Sequence, residues 1–240
     1  MNRVKANVGR SIHVGVNAHL LSLTESYRSA GITWYIYNLL RHLPEVDPEI
    51  RFTAFLSERR FSASSGLQVQ LSRLPTHRPP VRILWDQGFQ PWALGSANVQ
   101  LVHGPAFVGP LLSSAPFVVT VHDLSFLLYP EGFRKPNRLY LRSFTRWSVK
   151  QARRVIAVSE STKRDVVRLY GISPDKVDVV HNGVDPCYQP LPASETTAFK
   201  AKQGLPERFL LFVGTLEPRK NVIRLIESYA ELPADRPPLI

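Results

Sequence analysis

Three places in the chain carry side chains able to handle a hydroxylated or phosphorylated ligand. His122 and Asp123 follow directly on the apolar run Phe117–Val121. A histidine at the carboxyl end of a strand in an open α/β sheet stands where ligands bind. Its ring could donate a hydrogen bond to a hydroxyl or phosphate, or be held by Asp123 in one tautomer. A His–Asp pair that only caps a strand end fits the same residues. Gly31 opens a helix, and Gly214 follows a later apolar run, with Arg219 and Lys220 at the next helix start. Free N–H groups and a partial positive charge make such helix starts seats for phosphate. Arg219 and Lys220 would there neutralise a diphosphate leaving group, although a basic pair at a helix start can also be merely solvated.

Other chemistries lack their signals. The sequence holds no GxGxxG, no P-loop and no GxSxG elbow, which removes the strongest marks of dinucleotide oxidoreduction, P-loop NTPase chemistry and serine hydrolysis. Its seven histidines are scattered, with no HExxH, and Cys187 is the single cysteine. A structural metal and an internal disulfide are therefore not expected, and Cys187 reads as a plain thiol in a loop.

The elements that must position these residues alternate between strand-like runs and helical periodicity, the pattern of a parallel α/β sheet. Residues 12–16 read as a buried first strand. The helix from Gly31 repeats Ile32, Tyr35, Ile36, Leu39, Leu40 and Leu43 at i, i+3, i+4 spacing until Pro44 ends it. Further strands are expected at Arg51–Leu56, 99–102, Phe117–Val121, 155–158 and 176–180, and a short one at Leu67–Leu71 within a mobile stretch, 57–80. Ser159 is a natural N-cap for a helix Glu160–Tyr170, with Gly171 closing it. Residues 1–188 are expected to form one Rossmann-like domain, and 189–206 a proline-containing linker with a short polar helix. Residues 207–240 then form the first βα unit of a second domain, a strand at 209–213 and a helix from about 219 to 232. A lone βα unit cannot cover both faces of its strand, so this second domain is expected to be cut short.

The 240 residues hold 30 Lys+Arg against 19 Asp+Glu, a formal +11, with 44% hydrophobic and 20% charged residues, a composition that excludes disorder and collagen-like structure. No apolar run approaches the ~18 residues of a membrane span. The basic N-terminus is followed by an apolar stretch broken by Asn17 and His19, a poor leader, so a cytoplasmic location is expected. Eight of the basic residues lie within 134–154, which has no acid: Arg134, Lys135, Arg138, Arg142, Arg146, Lys150, Arg153 and Arg154. The segment reads as a helix with Tyr140, Leu141, Phe144, Trp147, Ser148 and Gln151 on one face. Arg138, Arg142, Arg146 and Lys150 recur on another. That basic face is either solvated or approaches anionic lipid headgroups or a phosphorylated acceptor. Nucleic acid ranks last, because stacking aromatics do not alternate with the bases.

Taken in order, the motifs are more specific than any one of them. They are Ser29-Ala30-Gly31-Ile32, then Val119-Thr120-Val121-His122-Asp123-Leu124, then Val155-Ile156-Ala157-Val158-Ser159-Glu160-Ser161-Thr162-Lys163. Val180-His181-Asn182-Gly183-Val184-Asp185 follows, and Phe212-Val213-Gly214-Thr215-Leu216-Glu217-Pro218-Arg219-Lys220-Asn221 closes the series. From about residue 12 this resembles family 4 of the GT-B-fold retaining glycosyltransferases, especially its mannosyltransferase-like members. The resemblance implies two Rossmann-like domains across a cleft, acceptor on the N-terminal one and nucleotide-sugar, GDP-mannose or a UDP-sugar, mostly on the other. It implies that Gly31 approaches the donor diphosphate, with Gly214 on the donor side, and that His122, beside Asp123, lies next to the transferring sugar. Ser159 would sit at the cleft floor, and Lys220 with Arg219 would hold the diphosphate without a metal. The implied acceptor is lipid-linked or a polysaccharide, with peripheral contact to an anionic membrane and no nucleic acid.

Two departures qualify that resemblance. Thr215 stands where many members carry an arginine, which would leave the diphosphate to Lys220 and Arg219. No pair of glutamates has the E-x7-E spacing that the family places on the transferring sugar and the ribose, and Glu227 with Asp235 is a coincidental approach to it. The chain alone is therefore expected to be inactive. A catalytically silent acceptor- or membrane-binding module of the same fold is the alternative, and a basic nucleic-acid-binding protein a more distant one.

Overall fold

The computed structural model describes residues 11–24, 31–74, 76 and 79–240. The basic residues 1–10, Ser29 and Ala30 of the first motif, and positions 75, 77 and 78 of the stretch expected to be mobile lie outside the described residues. The chain divides into two compact units, the first Met1–Leu127 with Lys135–Asn182 and the second Leu128–Arg134 with Gly183–Ile240.

The first unit is built on seven strands: β1 His13–Asn17, β2 Arg51–Leu56, β3 Leu67–Leu71, β4 Leu101–Gly104, β5 Phe117–Val121, β6 Arg154–Ala157 and β7 Val177–Val179. All pair in parallel in the order β3-β2-β1-β4-β5-β6-β7, the Rossmann-like sheet that the alternation of elements predicts. Central strands are apolar on both faces because both are covered, and Val16, Phe55, Val102, Val119 and Val155 are withdrawn from water. The edge strand β3 buries only Leu67. Because β1 pairs with both β2 and β4, the connections run outward in opposite directions from the β1–β4 pair. A crevice opens at the carboxyl ends of those two strands.

Helix α1, Gly31–Val46, lays Thr33, Ile36, Leu40 and Pro44 on the core around Val16, Ala54 and Leu56. Pro44 does not end it. It sits in the last turn, where its ring is buried, and the helix runs on two residues. Helix α6, Glu160–Tyr170, has the expected ends: Ser159 Oγ accepts the Thr162 N–H at 3.1 Å, and Gly171 takes the left-handed conformation at φ 65°.

Two parts of the first unit depart from the sequence pattern. Residues 79–96, for which the pattern predicts no element, form α2 Pro79–Leu84, a π-helical turn Trp85–Phe89 and α3 Gln90–Ser96. Leu84 and Gln90 both keep helical backbone angles, so this is one continuous helix with a π-bulge inside it. Helix α5, Lys135–Gln151, is rotated from its expected face: Thr145, Ser148 and Val149 are buried, whereas Trp147 is half exposed and Gln151 exposed. The rotation has a partner, since Ser148 Oγ accepts the Gly109 N–H at 3.0 Å, a bond no apolar residue could replace. Between α4 Ser125–Leu128 and α5 runs a short 3₁₀ turn.

In the second unit, α7 Ala193–Gln203 is polar and exposed throughout most of its length. Residues 209–213 form one parallel bridge, Leu210 with Leu239, in place of the expected full strand. A 3₁₀ turn, Pro218–Lys220, precedes α8 Val222–Ala230, so the helix starts two residues after Lys220.

Candidate functional site

The crevice of the first unit is built by three loops and two helices. Strand β5 delivers His122, whose Nε2 donates to the Pro105 carbonyl at 2.9 Å. A carbonyl only accepts, so Nε2 carries the proton and Nδ1 keeps its lone pair. Burial lowers the ring's basicity, against the Pro105 bond and Asp123, which raise it. His122 thus enters the site as a hydrogen-bond acceptor. Its tautomer is set by Pro105 and not, as the sequence suggested, by Asp123, whose Oδ1 instead accepts the Ser125 N–H at 2.9 Å and caps α4.

Rings close around His122. Tyr35, one turn into the helix that Gly31 opens, stands edge-on to it at 4.8 Å between centroids, and Phe107 does so at 5.7 Å. Tyr35 Oη lies 3.2 Å from Thr120 Oγ1, which also meets the buried His103 Nε2 at 2.9 Å. Thr162 Oγ1 donates to the His122 carbonyl at 3.0 Å and lies 3.0 Å from Ser159 Oγ. The structure therefore brings His122, Asp123 and Ser159 together. Gly31 stays exposed at the start of α1, with open space where a Cβ would sit.

The loop after β4 is strained. Phe107 has φ 62°, a left-handed conformation that a bulky residue rarely adopts. Its N–H bonds the Thr120 carbonyl at 2.8 Å, and its ring also packs against Phe126. Gly104 is required at the loop's entrance, because a Cβ there would come within 2.8 Å of the Val108 carbonyl oxygen. This loop forms one wall of a small pocket of about 40 Å³ at the carboxyl ends of β1 and β4, with Asn17, His19, Arg82, Asp86 and Tyr140 on the other sides. None of these residues is singled out by motif or spacing. One signal existed: Asp86 is the only acid between Glu58 and Asp123.

Asp86 is buried in the π-bulge and accepts one hydrogen bond at Oδ1, from Asn17 Nδ2 at 3.1 Å. Burial pushes its carboxyl up to about 6, against the Asn17 bond and Arg82, which lower it. His19 is also buried and its pKa falls to about 3, first through burial and then through Arg82.

In the second unit, the Arg219 guanidinium donates to Glu217 Oε2 at 2.6 Å, and Thr215 Oγ1 donates to Glu217 Oε1 at 3.1 Å. The Arg219 pairing holds the Glu217 carboxyl below its ordinary value. Lys220 is exposed on the 3₁₀ turn, as is Gly214 in the loop before it. On α5, Arg142, Arg146 and Lys150 are exposed and Arg138 half-buried, beside the exposed side chains of Leu139 and Trp147. Lys176 Nζ donates to the Lys150 carbonyl at 2.6 Å and adds a further cation at that helix end. Arg154, by contrast, is neutralised by a two-pronged pair with Asp178.

Comparison with known proteins places this architecture. The chain is 30% identical over 189 residues to the O-antigen chain mannosyltransferase B of Escherichia coli, covering 77% of the chain and 49% of the relative. It thus spans about half the length of that relative. Its fold is similar to that of WaaG, a glycosyltransferase involved in lipopolysaccharide biosynthesis, with TM-score 0.63 and 15% identity over 92% of this chain and 60% of that one. It is likewise similar to Anabaena Alr3699/HepE in complex with UDP, with TM-score 0.59 and 15% identity over 95% of this chain and 60% of that one. These structural likenesses show that the first unit has the Rossmann-like fold of a GT-B N-terminal domain. The family model described as Glycosyltransferase Family 4 matches residues 29–187, about two thirds of the sequence and nearly all of the parallel sheet, and on that ground the chain belongs to glycosyltransferase family 4.

Proposed function

We propose that the chain forms the acceptor side of a retaining glycosyltransferase. The enzyme moves a hexosyl group, mannosyl in the first instance, from GDP-mannose or a UDP-sugar to a lipid-linked or polysaccharide acceptor. The reading is carried by the likeness to the O-antigen chain mannosyltransferase B over 77% of this chain. Supporting it is a crevice at the sheet's switch point, lined by the hydrogen-bonding side chains of Asn17, His19, Arg82, Asp86 and Tyr140. In transfer, the bond from the sugar's anomeric carbon to the diphosphate oxygen breaks, the bond to the acceptor oxygen forms on the same face, and the acceptor hydroxyl's proton passes to the departing diphosphate. His122 Nδ1 accepts a hydrogen bond from a hydroxyl of the moving sugar. The family resemblance assigns Gly31 at the start of α1 to the donor diphosphate, and it assigns Gly214, Arg219 and Lys220 of the second unit to the same group, whose departing charge these cations would stabilise without a metal. Because no paired glutamates occur at the E-x7-E spacing, the chain on its own is proposed to hold acceptor without turning donor over.

The test is transfer by the full protein from radiolabelled GDP-mannose and UDP-glucose to a lipid-linked oligosaccharide, with the product anomer read by NMR. His122→Ala is expected to lower kcat about a hundredfold. Absence of transfer from every nucleotide-sugar sinks the reading, and an inverted anomer removes retention from it.

A second reading has its own observation. Leu139 and Trp147 are exposed among basic side chains of α5 that make no ion pair among the described residues, as in a helix lying on an anionic bilayer at the cytoplasmic face. No helix among the described residues is long and apolar enough to cross a membrane. Sedimentation with phosphatidylglycerol vesicles tests peripheral contact. Replacing Arg138, Arg142 and Arg146 by Glu should abolish it, and unchanged binding refutes it.

A further inference from the structure

The loop that leaves β4 is held in a conformation that its residues resist. Among the described residues three non-glycine positions have positive φ, and two of them, Asn98 and Asn221, are asparagines, which tolerate it. The third is Phe107, at φ 62°. The Val108 N–H donates to the Ala106 carbonyl at 2.7 Å, so Phe107 is the middle residue of a three-residue turn. With a positive φ at its centre, this is the rare and strained form of that turn. A bulky residue stays there only where the surroundings fix the backbone from several sides.

The surroundings do so on both sides of Phe107. Before it, the Pro105 carbonyl accepts the His122 Nε2–H at 2.9 Å, and the Phe107 N–H donates to the Thr120 carbonyl of β5 at 2.8 Å. After it, the Gly109 N–H donates to Ser148 Oγ of α5 at 3.0 Å, and the Gly109 carbonyl accepts Gln87 Nε2 of the π-helical turn at 3.2 Å. The φ of Phe107 is the joint between these halves. Turned to an ordinary negative value, it would swing Gly109 off α5 or draw Pro105 off His122.

Glycine would make the same turn without strain. It would not supply the ring that stands edge-on to His122 at 5.7 Å, opposite the restraint from Tyr35 at 4.8 Å, and that is braced on Phe126 at 6.0 Å. The phenyl group therefore accounts for a side chain in a place where the backbone alone favours none.

We propose that Phe107 is a positioning residue, whose strained turn and ring together hold His122 as the Nε2–H tautomer with Nδ1 left open. The tautomer rests on these contacts alone. Its consequence for catalysis rests on the transferase reading above, in which Nδ1 accepts a sugar hydroxyl.

The experiment records long-range proton–nitrogen correlation NMR of the isotope-labelled chain at pH 8, where burial favours the neutral ring. The His122 signals, identified by their loss in His122→Gln, are expected to show Nε2 protonated and Nδ1 bare. In Phe107→Gly the two nitrogen shifts should approach each other by at least about a quarter of their separation, as the tautomers mix. Phe107→Tyr, which keeps the ring, should retain the single tautomer. If Phe107→Gly does not fold, Phe107→Leu, which keeps apolar bulk without the ring, carries the same test. A single Nε2–H tautomer in either folded variant overturns the proposal, and so does an Nδ1–H ring in the unaltered chain.

In the full protein, Phe107→Gly should lower kcat at least about fivefold and change the donor KM by less than about twofold, the mark of a misplaced catalytic group. Tautomer mixing in a protein that transfers nothing keeps the positioning role and sinks the transferase reading. Transfer by a Phe107→Gly protein with unchanged kcat and a single tautomer does the reverse.

Discussion

The two units treat similar apolar patterns in opposite ways. In the first, Val16 and Phe55 are completely buried, while in the second no described side chain is fully buried and Val213 and Leu216 are 83% and 85% exposed. The difference lies in neighbours, not in local sequence. Strand β1 is hydrogen-bonded along both edges, whereas the run 209–213 makes one bridge. Hydrophobic stabilisation scales with area removed from water, so the same residue type contributes in one unit what it cannot contribute in the other.

The largest expected effect lies in the core of the first unit. Phe55→Ala should lower unfolding free energy by about 3–5 kcal/mol, read by chemical denaturation followed by far-ultraviolet circular dichroism. A loss below about 1 kcal/mol would mean that the core is far looser than its burial indicates.

Acid comes next. His19 and His103 are held near 3 and 4 in the fold, against an ordinary 6.5. As pH falls below 6.5 the unfolded chain takes up protons on these rings and the folded chain does not, so stability falls. Asp86 works in the opposite direction, because its raised pKa favours proton uptake in the fold. From pH 7 to 5 the net loss should be on the order of 2–3 kcal/mol, and His103→Gln should remove about half of the histidine contribution. A flat profile would show these rings to be hydrated.

Asp86→Asn should then stabilise the chain at pH 7 by about 2 kcal/mol, since an ionised carboxyl is no longer kept out of water. The gain should vanish near pH 4. Ser159→Ala, which deletes the cap of α6, should cost about 1 kcal/mol. Smallest of all, Val213→Ala in the second unit should change stability by less than about 0.5 kcal/mol. A loss of more than 2 would break the comparison of the two units.

Much of the first unit was legible in the residues. The helix from Gly31, the strand runs, the N-cap at Ser159 and the left-handed Gly171 all follow from local periodicity and local hydrogen bonding. So did the placement of His122 at a strand end, and the motif order that pointed to the family. Residues 79–96 were not legible, because Pro79-Pro80, Gly88 and Pro91 interrupt every helical template. The π-bulge that buries Asp86 adds a residue to the turn and shifts the spacing that periodicity relies on. In α5, Thr145 and Ser148 are polar in sequence and buried in the fold, while Trp147 is apolar and half exposed.

By itself, then, the sequence determined the alternation of strands and helices, their caps, the concentration of basic charge and the family, since each is written in neighbouring residues or ordered motifs. Only the tertiary structure decided that strand order reverses between β1 and β4, and that Asn17 and His19, Asp86, and Tyr140 meet there from three distant segments. It also decided that His122 offers a lone pair. A tautomer depends on which group the ring meets, and Pro105 lies 17 residues away along the chain.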